Sequence, residues 1–231
     1  MAAGRGRTGW PPAARELADL PWAPHLTGFS GELEREGDYD TVLFEGGEHT
    51  GADCGNARFV ETAFESTGFD AVRFRRARFN DVWLHQVRMV GCDLAETNWL
   101  DAEWSGGLLA GLEFYGAPLR RVVFRNCKLD SVNLRTAELR EVAFVDCLLR
   151  EVDFGGATLT DVSFPGSTLE RALFQRARLK RVDLREAAAL GITSGWEDLR
   201  GATISSPQLL DLAPALADSL GLLVQDEGQP T

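Results

Sequence analysis

The sequence predicts an all-β fold, a quadrilateral β-helix in which short extended segments wind into stacked square coils. All 13 phenylalanines, from Phe29 to Phe174, occupy positions whose number leaves a remainder of four on division by five. Two positions before each large residue of this class lies a mostly small one, and residues two apart in an extended segment share a face. The next small residue follows after three steps, so the chain must turn a corner in between. A period of five therefore describes one side of a coil together with its corner.

The number of sides follows from the order of the large residues. Between residues 122 and 182, Phe and Leu mostly alternate in the large column, which gives a period of ten. A coil of 15 residues would stack Phe on Leu, whereas a coil of 20 residues stacks like on like. The expected interior columns are Phe124, Phe144 and Phe164 on one side and Leu129, Leu149 and Leu169 on the next.

The pattern divides the chain into three parts. We expect an N-terminal arm and cap at residues 1–40, the β-helix at 41–205, and a C-terminal capping or dimerisation helix with a tail at 206–231. The frame of five is expected to run unbroken from Phe44 to Ile204. It fits worst between Ala188 and Asp198, where we expect a local loop or an irregular coil.

The repeated units also carry a family resemblance. Segments such as ARFND, CDLAE, AELRE and VDFGG share the form A/V/C-x-F/L-x-x, and the pattern covers about residues 41 to 205. In this the chain resembles the pentapeptide-repeat proteins. The resemblance implies a right-handed β-helix and, as in several members, a two-fold dimer made by the C-terminal segment. It also implies an alternative function, because the family includes fluoroquinolone-resistance proteins that look like duplex DNA to DNA gyrase.

Both ends of the rod must be capped, because a stacked coil exposes apolar side chains there. Near the N-terminus, Pro12 to Leu20 is a short helix candidate that prolines end. At the C-terminus, Ser206 is the expected N-cap and Gly221 the expected stop, while Pro214 should split or kink the helix. The candidate contacts of this helix, with the last coil or with a second subunit, are Leu209, Leu212, Leu216 and Leu220.

Composition narrows the class of protein. No segment approaches the roughly 18 to 20 apolar residues of a membrane span, and the N-terminus lacks the apolar run of a secretion signal. We therefore expect a cytoplasmic protein without membrane contact. The formal net charge of −11 indicates avoidance or imitation of nucleic acid, so nucleic acid is not an expected ligand.

Residues for catalysis are not grouped in the sequence. The four cysteines show no CxxC spacing and fall on inward repeat positions, so we expect small buried thiols rather than a zinc site. The three histidines lie far apart in the coil register, and the sequence contains no phosphate-binding or nucleophile motif. We expect no catalytic, metal or cofactor site and interpret the protein as non-enzymatic.

One side of the predicted coil differs from the others in its outward residues. In pentapeptides 42–46, 62–66 and onward, the outward central column is largely apolar, and these units carry a net charge of −4. An apolar stripe on a solenoid is either a docking site or a surface covered by the protein's own N-terminal arm. The candidate partner-binding residues on and beside it are Glu45, Glu65, Trp83, Glu103, Val123, Val145 and Asp146.

These observations lead to two hypotheses about function. The first is a non-enzymatic protein-binding scaffold whose partner is unassigned; a basic, partly apolar partner would fit the stripe best. The alternative is a DNA mimic that binds DNA gyrase. Mimicry requires acidic charge along the rod, and only one of the four sides is acidic.

Overall fold

The computed structural model describes residues 10–224. Parallel strands wind into a right-handed quadrilateral β-helix that ends in one α-helix, which confirms the predicted fold class. The strands are β1 (Thr27–Gly28), β2 (Asp38–Asp40), β3 (Val42–Glu45), β4 (Glu48–Thr50), β5 (Arg58–Val60), β6 (Ala63–Glu65), β7 (Gly68–Asp70), β8 (Arg78–His85), β9 (Arg88–Val90), β10 (Asn98–Ser105), β11 (Leu108–Ala110), β12 (Pro118–Arg125), β13 (Lys128–Asp130), β14 (Glu138–Val145), β15 (Leu148–Arg150), β16 (Thr158–Ser163), β17 (Thr168–Leu173), β18 (Arg178–Asp183), β19 (Ala189–Ser194) and β20 (Ala202–Thr203).

We number the four faces of the rod by the large inward residue at the centre of each side. Face one is centred on residues 44, 64, 84 and every twentieth residue onward; face two starts at 49, face three at 54 and face four at 39. Faces four and one share a 12-stranded sheet, because strands such as β8 bend through the corner between them. Face two forms an eight-stranded sheet, and isolated bridges join the coils on face three.

Interior side chains stack in register from coil to coil. Phe124 pairs with Phe144 through β12 and β14, and their rings lie 5.0 Å apart at 6°. The rings of Phe144 and Phe164 follow at 5.1 Å and 10°. Leu129, Leu149 and Leu169 pair in the same way through β13, β15 and β17. Both predicted columns are thus confirmed, and each buried ring contributes roughly 1.5–3 kcal/mol of transfer free energy.

The corners have one repeated backbone conformation. Every fifth residue from Glu36 to Arg181 has a φ between +49° and +67°. In β8, this residue is Asp81, at which the strand passes from face four to face one. The left-handed residue lets an extended chain change direction within a single position, so two sides of a coil follow each other without a loop.

The prediction of an unbroken frame is wrong in the last coil. Leu169 pairs with Leu190, 21 residues on, and the β17 to β19 register shifts twice before the 3₁₀ turn Trp196–Asp198. Ala189 stands in the predicted inward position but is exposed, and Leu190 is the residue that turns inward. Moving the methyl side chain of an alanine out of the core costs little transfer free energy. The extra residue is therefore accommodated in the alanine run at 187–189. The irregular coil expected between Ala188 and Asp198 is confirmed.

The N-terminal segment differs from the predicted helix. Between residues 10 and 26 two 3₁₀ turns form, Leu17–Asp19 and Ala23–His25, and residues 12–16 are not helical. Polar groups of this stretch bond to the rod instead of to a helical turn, as described below. Strand pairing then begins at β1, where Phe29 stacks on Phe44 with ring centroids 4.2 Å apart.

The C-terminal helix α1 (Ser206–Ser219) covers the last coil. Its N-cap is Ser205, one residue before the expected Ser206, and the Gln208 side chain completes a capping box. The Gln208 amide also donates to the carbonyls of Leu184 and Ala187, 2.7 and 3.2 Å away, and so pairs backbone groups at the open end of the rod. Gly221, with φ +69°, follows the helix as predicted.

The sequence predicts that Pro214 splits or kinks α1; the helix is continuous through that residue, so it is not split. Proline removes the N–H that would have bonded the carbonyl of Leu210, four residues earlier. Leu210 is 75% exposed, so solvent can pair with its carbonyl.

Candidate functional site

The apolar stripe of face one lies beneath the N-terminal arm. We use the name outer stripe for its outward column, which consists of Leu43, Ala63, Trp83, Glu103, Val123 and Ala143. Ala63 and Trp83 are 0% and 2% exposed, although they point away from the interior of the coil. They form a cluster separate from the main core, together with Leu20 and Trp22 of the arm. The arm thus covers this part of the outer stripe as a second apolar layer.

Glu103 interrupts the outer stripe with a buried charge. Its side chain is 2% exposed, and one carboxylate oxygen accepts a hydrogen bond from Arg15 Nε at 2.8 Å. The other oxygen accepts from the backbone N–H of Arg15 and from Arg125 Nε, both at 3.3 Å. Removing water from a carboxylate is costly unless cations and donors replace it. The guanidinium of Arg15 therefore offsets part of the cost of burying the Glu103 carboxylate.

Two further contacts join arm and rod. Trp83 donates its indole N–H to the carbonyl of Arg15 at 3.2 Å, and its ring stacks on His85 at 5.2 Å. Arg125 donates to the carbonyl of Pro12. Side chains of the rod therefore fix the path of the arm at Pro12 and Arg15.

The predicted partner-binding residues divide by exposure. Trp83, Glu103 and Val123 are all at most 3% exposed, so they are not available at the surface while the arm is bound. Glu65 and Val145 are half-buried, and Glu45 and Asp146 are exposed. In the structure, the N-terminal arm covers the part of the stripe that contains Trp83, as in the second of the two interpretations.

The predicted contacts of α1 also divide by position. Leu212 is 5% exposed against the rod and Leu216 is half-buried. Leu209 and Leu220 are 50% and 73% exposed. The apolar surface continues past the helix through the exposed side chains of Leu222, Leu223 and Val224. One side of the helix thus caps the coil, and the other presents apolar side chains to solvent.

A shallow depression on face three is lined mainly by ion pairs. Arg35 and Arg73 approach Asp53 at 3.7 and 3.5 Å, and Arg75 approaches Asp93 at 3.9 Å. Glu96, which lies outside the lining, receives Arg75 and Arg76 at 2.6 and 2.8 Å. The hydrogen bonds from Arg76 and Arg75 lower the pKa of Glu96. Both lining acids already have an arginine partner, so the depression offers no unpaired general base.

The cysteines are buried, as predicted, and the surroundings of Cys54 and Cys92 do not favour a nucleophilic thiolate. Burial raises the pKa of Cys54 to about 12 and also raises that of Cys92. A thiol with a raised pKa stays protonated near neutral pH and is a poor nucleophile. Among residues 10–224, no group of three or more His, Cys, Asp or Glu side chains could hold a metal ion.

The pairing of Arg15 with Glu103 was missed in the sequence, although two signals pointed to it. Glu103 is the one charge in an otherwise apolar outward column, and such a charge demands a cationic partner. The arm carries Arg15 and, just after it, Leu17, Leu20 and Trp22. The repeat pattern does not show where a segment outside the repeat lies, so the pairing needed the structure.

Comparison with known proteins identifies the family. The sequence model described as a pentapeptide repeat region matches residues 56–134, 97–174 and 117–193, which together span more than half of the chain. The chain therefore belongs to the pentapeptide-repeat family. No curated protein matches it.

Solved structures are similar to this chain at low sequence identity. Two trypsin-treated forms of QnrB1, a plasmid-mediated fluoroquinolone resistance protein, are similar. One is 20% identical over 86% of this chain and 96% of that chain, with a TM-score of 0.48. The other is 17% identical over 82% of this chain and 100% of that chain, with a TM-score of 0.50. HetL, a pentapeptide-repeat protein of the cyanobacterium Nostoc sp. strain PCC 7120 involved in heterocyst differentiation regulation, is 16% identical over 76% and 93%, with a TM-score of 0.26.

Proposed function

We propose that this protein is a non-enzymatic scaffold that binds another protein through face one. The supporting observation is that the outer stripe already holds a polypeptide segment, since Leu20 and Trp22 of the arm pack on Ala63 and Trp83. The paired strands and the buried interior columns make the rod a rigid support. The acids that line the depression on face three are paired with arginines, so none is free to act as a general base. A rigid surface with an apolar column and acidic neighbours suits recognition rather than catalysis.

The chemistry of face one selects the partner class. Three acids lie beside the outer stripe: Glu45 and Asp146 are exposed, and Glu65 is half-buried. A basic and partly apolar segment would bring opposite charge to these acids while it buries apolar side chains. The gyrase alternative has less support, because the likeness to QnrB1 is one of fold at 17–20% identity.

Charge reversal on face one tests this proposal. The variant Glu45→Arg, Glu65→Arg, Asp146→Arg should lose its bound protein in pull-downs from the source cell. The matched control reverses one exposed acid on each other face: Glu170→Arg on face two, Glu113→Arg on face three and Glu138→Arg on face four. The control should retain the partner. If both variants keep the same bound proteins, or if neither the wild type nor the control binds any, face one is not the docking surface.

A further inference from the structure

The N-terminal arm is attached to the rod by side chains, and not by its backbone ladder. Between residues 10 and 26, the backbone-to-backbone hydrogen bonds that the structure describes are local, such as Leu20 N–H to the Leu17 carbonyl at 3.2 Å. The first one that joins the chain to the rod is Thr27 N–H to the Thr41 carbonyl at 3.1 Å. Release of the arm would therefore break no strand pairing.

The apolar contacts of the arm are likewise separate from the interior of the rod. Leu20, Trp22, Ala63 and Trp83 form their own cluster, while the interior columns form another. Removal of the arm would uncover the outer stripe and leave the stacked columns in place. The arm therefore has the contacts of a bound ligand more than those of a structural element.

We propose that the arm is a self-ligand that blocks face one, and that the partner displaces it with a segment of the same chemistry: an arginine followed by apolar side chains. This inference rests on the proposed function and adds what the partner must carry. The arm supplies Arg15 to Glu103 and places Leu20 and Trp22 on the apolar part of the stripe.

Glu103 makes the arginine a requirement. With the arm displaced, the Glu103 carboxylate loses both hydrogen bonds from Arg15 and keeps the one from Arg125, at the longer distance of 3.3 Å. An apolar segment without a cation would cover Glu103 and leave it poorly paired, and such a mismatch penalises the wrong partner. The single buried acid thus gives specificity to a face that would otherwise accept any apolar segment.

The test uses the full-length chain and a fluorescein-labelled synthetic peptide of residues 10–26 as the probe. In the variant Leu20→Asp, Trp22→Asp, two buried arm residues become charged, so its own arm should leave the face. In the wild type, the tethered arm competes at high effective concentration. Peptide binding, measured by fluorescence anisotropy, should be at least about tenfold tighter to the variant than to the wild type. Ala18→Asp adds a charge at an exposed arm residue and should behave like the wild type.

The arginine requirement is tested with a second peptide. A probe with Arg15→Ala should bind the released variant at least about tenfold more weakly, and adding Glu103→Gln to that variant should make the two probes bind alike. Equal binding of the probe to all chains, or equal binding of both probes to the released variant, overturns the proposal.

Unfolding of the released variant also overturns it. If circular dichroism shows that the β-helix is lost with the two arm substitutions, the arm is an integral layer of the fold and not a displaceable ligand. The proposed function fails separately: the probe can bind as expected while charge reversal on face one leaves every cellular partner bound.

Discussion

At the scale of single residues, the corner positions show how the rod tolerates an unfavourable backbone. A non-glycine residue in the left-handed region costs roughly 1–2 kcal/mol, and Asp101 and Asp161 are both in that region, with φ of +56° and +56°. Each accepts two hydrogen bonds from an arginine one coil later, Arg121 and Arg181 respectively. The bonds from Arg181 lower the pKa of Asp161. Exposed ion pairs contribute at most about 1 kcal/mol, so burial of the interior columns must supply the rest.

Small interior residues also form hydrogen bonds with backbone groups of the neighbouring coil. The thiol of Cys147 donates to the carbonyl of Phe124 at 3.4 Å, and its sulfur accepts from the N–H of Cys127 at 3.4 Å. One coil later Ser167 makes the same two contacts, with the Phe144 carbonyl at 2.8 Å and the Cys147 N–H at 2.9 Å. The sequence predicted these thiols as small apolar fillers. They also pair backbone groups between the coils.

Cys147 gives a matched test of this role. Cys147→Ser should change the free energy of unfolding little, because the hydroxyl of Ser167 already makes this pattern. Cys147→Val should cost about 1–3 kcal/mol, since it leaves the N–H of Cys127 buried without a partner. Val87 occupies the equivalent position two coils before Cys127 and is 1% exposed, so the size of valine suits the column. Guanidinium unfolding measures both, and equal stability of the two variants would contradict the polar role.

At the scale of an element, each interior column is a stack of similar side chains, and His49 is an exception near one end. Its ring stacks on Phe69 at 5.3 Å and meets the edges of Phe29 and Phe44 at 6.0 and 6.2 Å. Burial lowers the pKa of His49, with a smaller opposite effect of Glu48. The folded column therefore favours the neutral imidazole.

The sign of the pH effect follows from this lowered pKa. Below the ordinary histidine pKa of about 6.5, the unfolded chain takes up the proton more readily than the folded one, so stability falls as the pH decreases. His49→Phe should raise the melting temperature and reduce the loss of stability between pH 7.5 and pH 5. His25→Phe, at an exposed position of the arm, should keep the wild-type pH dependence. Thermal unfolding across this range measures both, and parallel curves for wild type and His49→Phe would refute the assignment.

The interior columns could be predicted from the sequence because their large inward residues recur at every fifth position. The period of five fixes which residues point inward, and the alternation of Phe124 with Leu129 fixes four sides. The last coil could not be read in this way, since Leu190 turns inward only because Ala189 can leave the core. The position of the arm depends on the distant pair Arg15 and Glu103, 88 residues apart, which no periodicity encodes.

At the scale of the whole molecule, the rod is closed along its sides and is capped by α1 at its C-terminal end. Sheets pair the coils along faces four, one and two, and isolated bridges pair them on face three, which leaves the ends as the surfaces where further strands or chains could add. At the C-terminal end, α1 buries Leu212 and pairs carbonyls of the last coil through Gln208. No helix among residues 10–224 is long and apolar enough to cross a membrane.

We expect a homodimer through this exposed side of α1. Leu209 and Leu220 lie on it at 50% and 73% exposure, and a two-fold contact would bury both on each subunit. The variant Leu209→Asp, Leu220→Asp should sediment as a monomer with unchanged circular dichroism, because at least half of each side chain is exposed in the single chain. Leu212→Asp is the contrasting variant: it places a charge at a 5% exposed position and should lower the stability of the cap by at least the roughly 1.5–3 kcal/mol of a buried leucine. A wild type that sediments as a monomer at high micromolar concentration, or a double variant that remains dimeric, would exclude this interface.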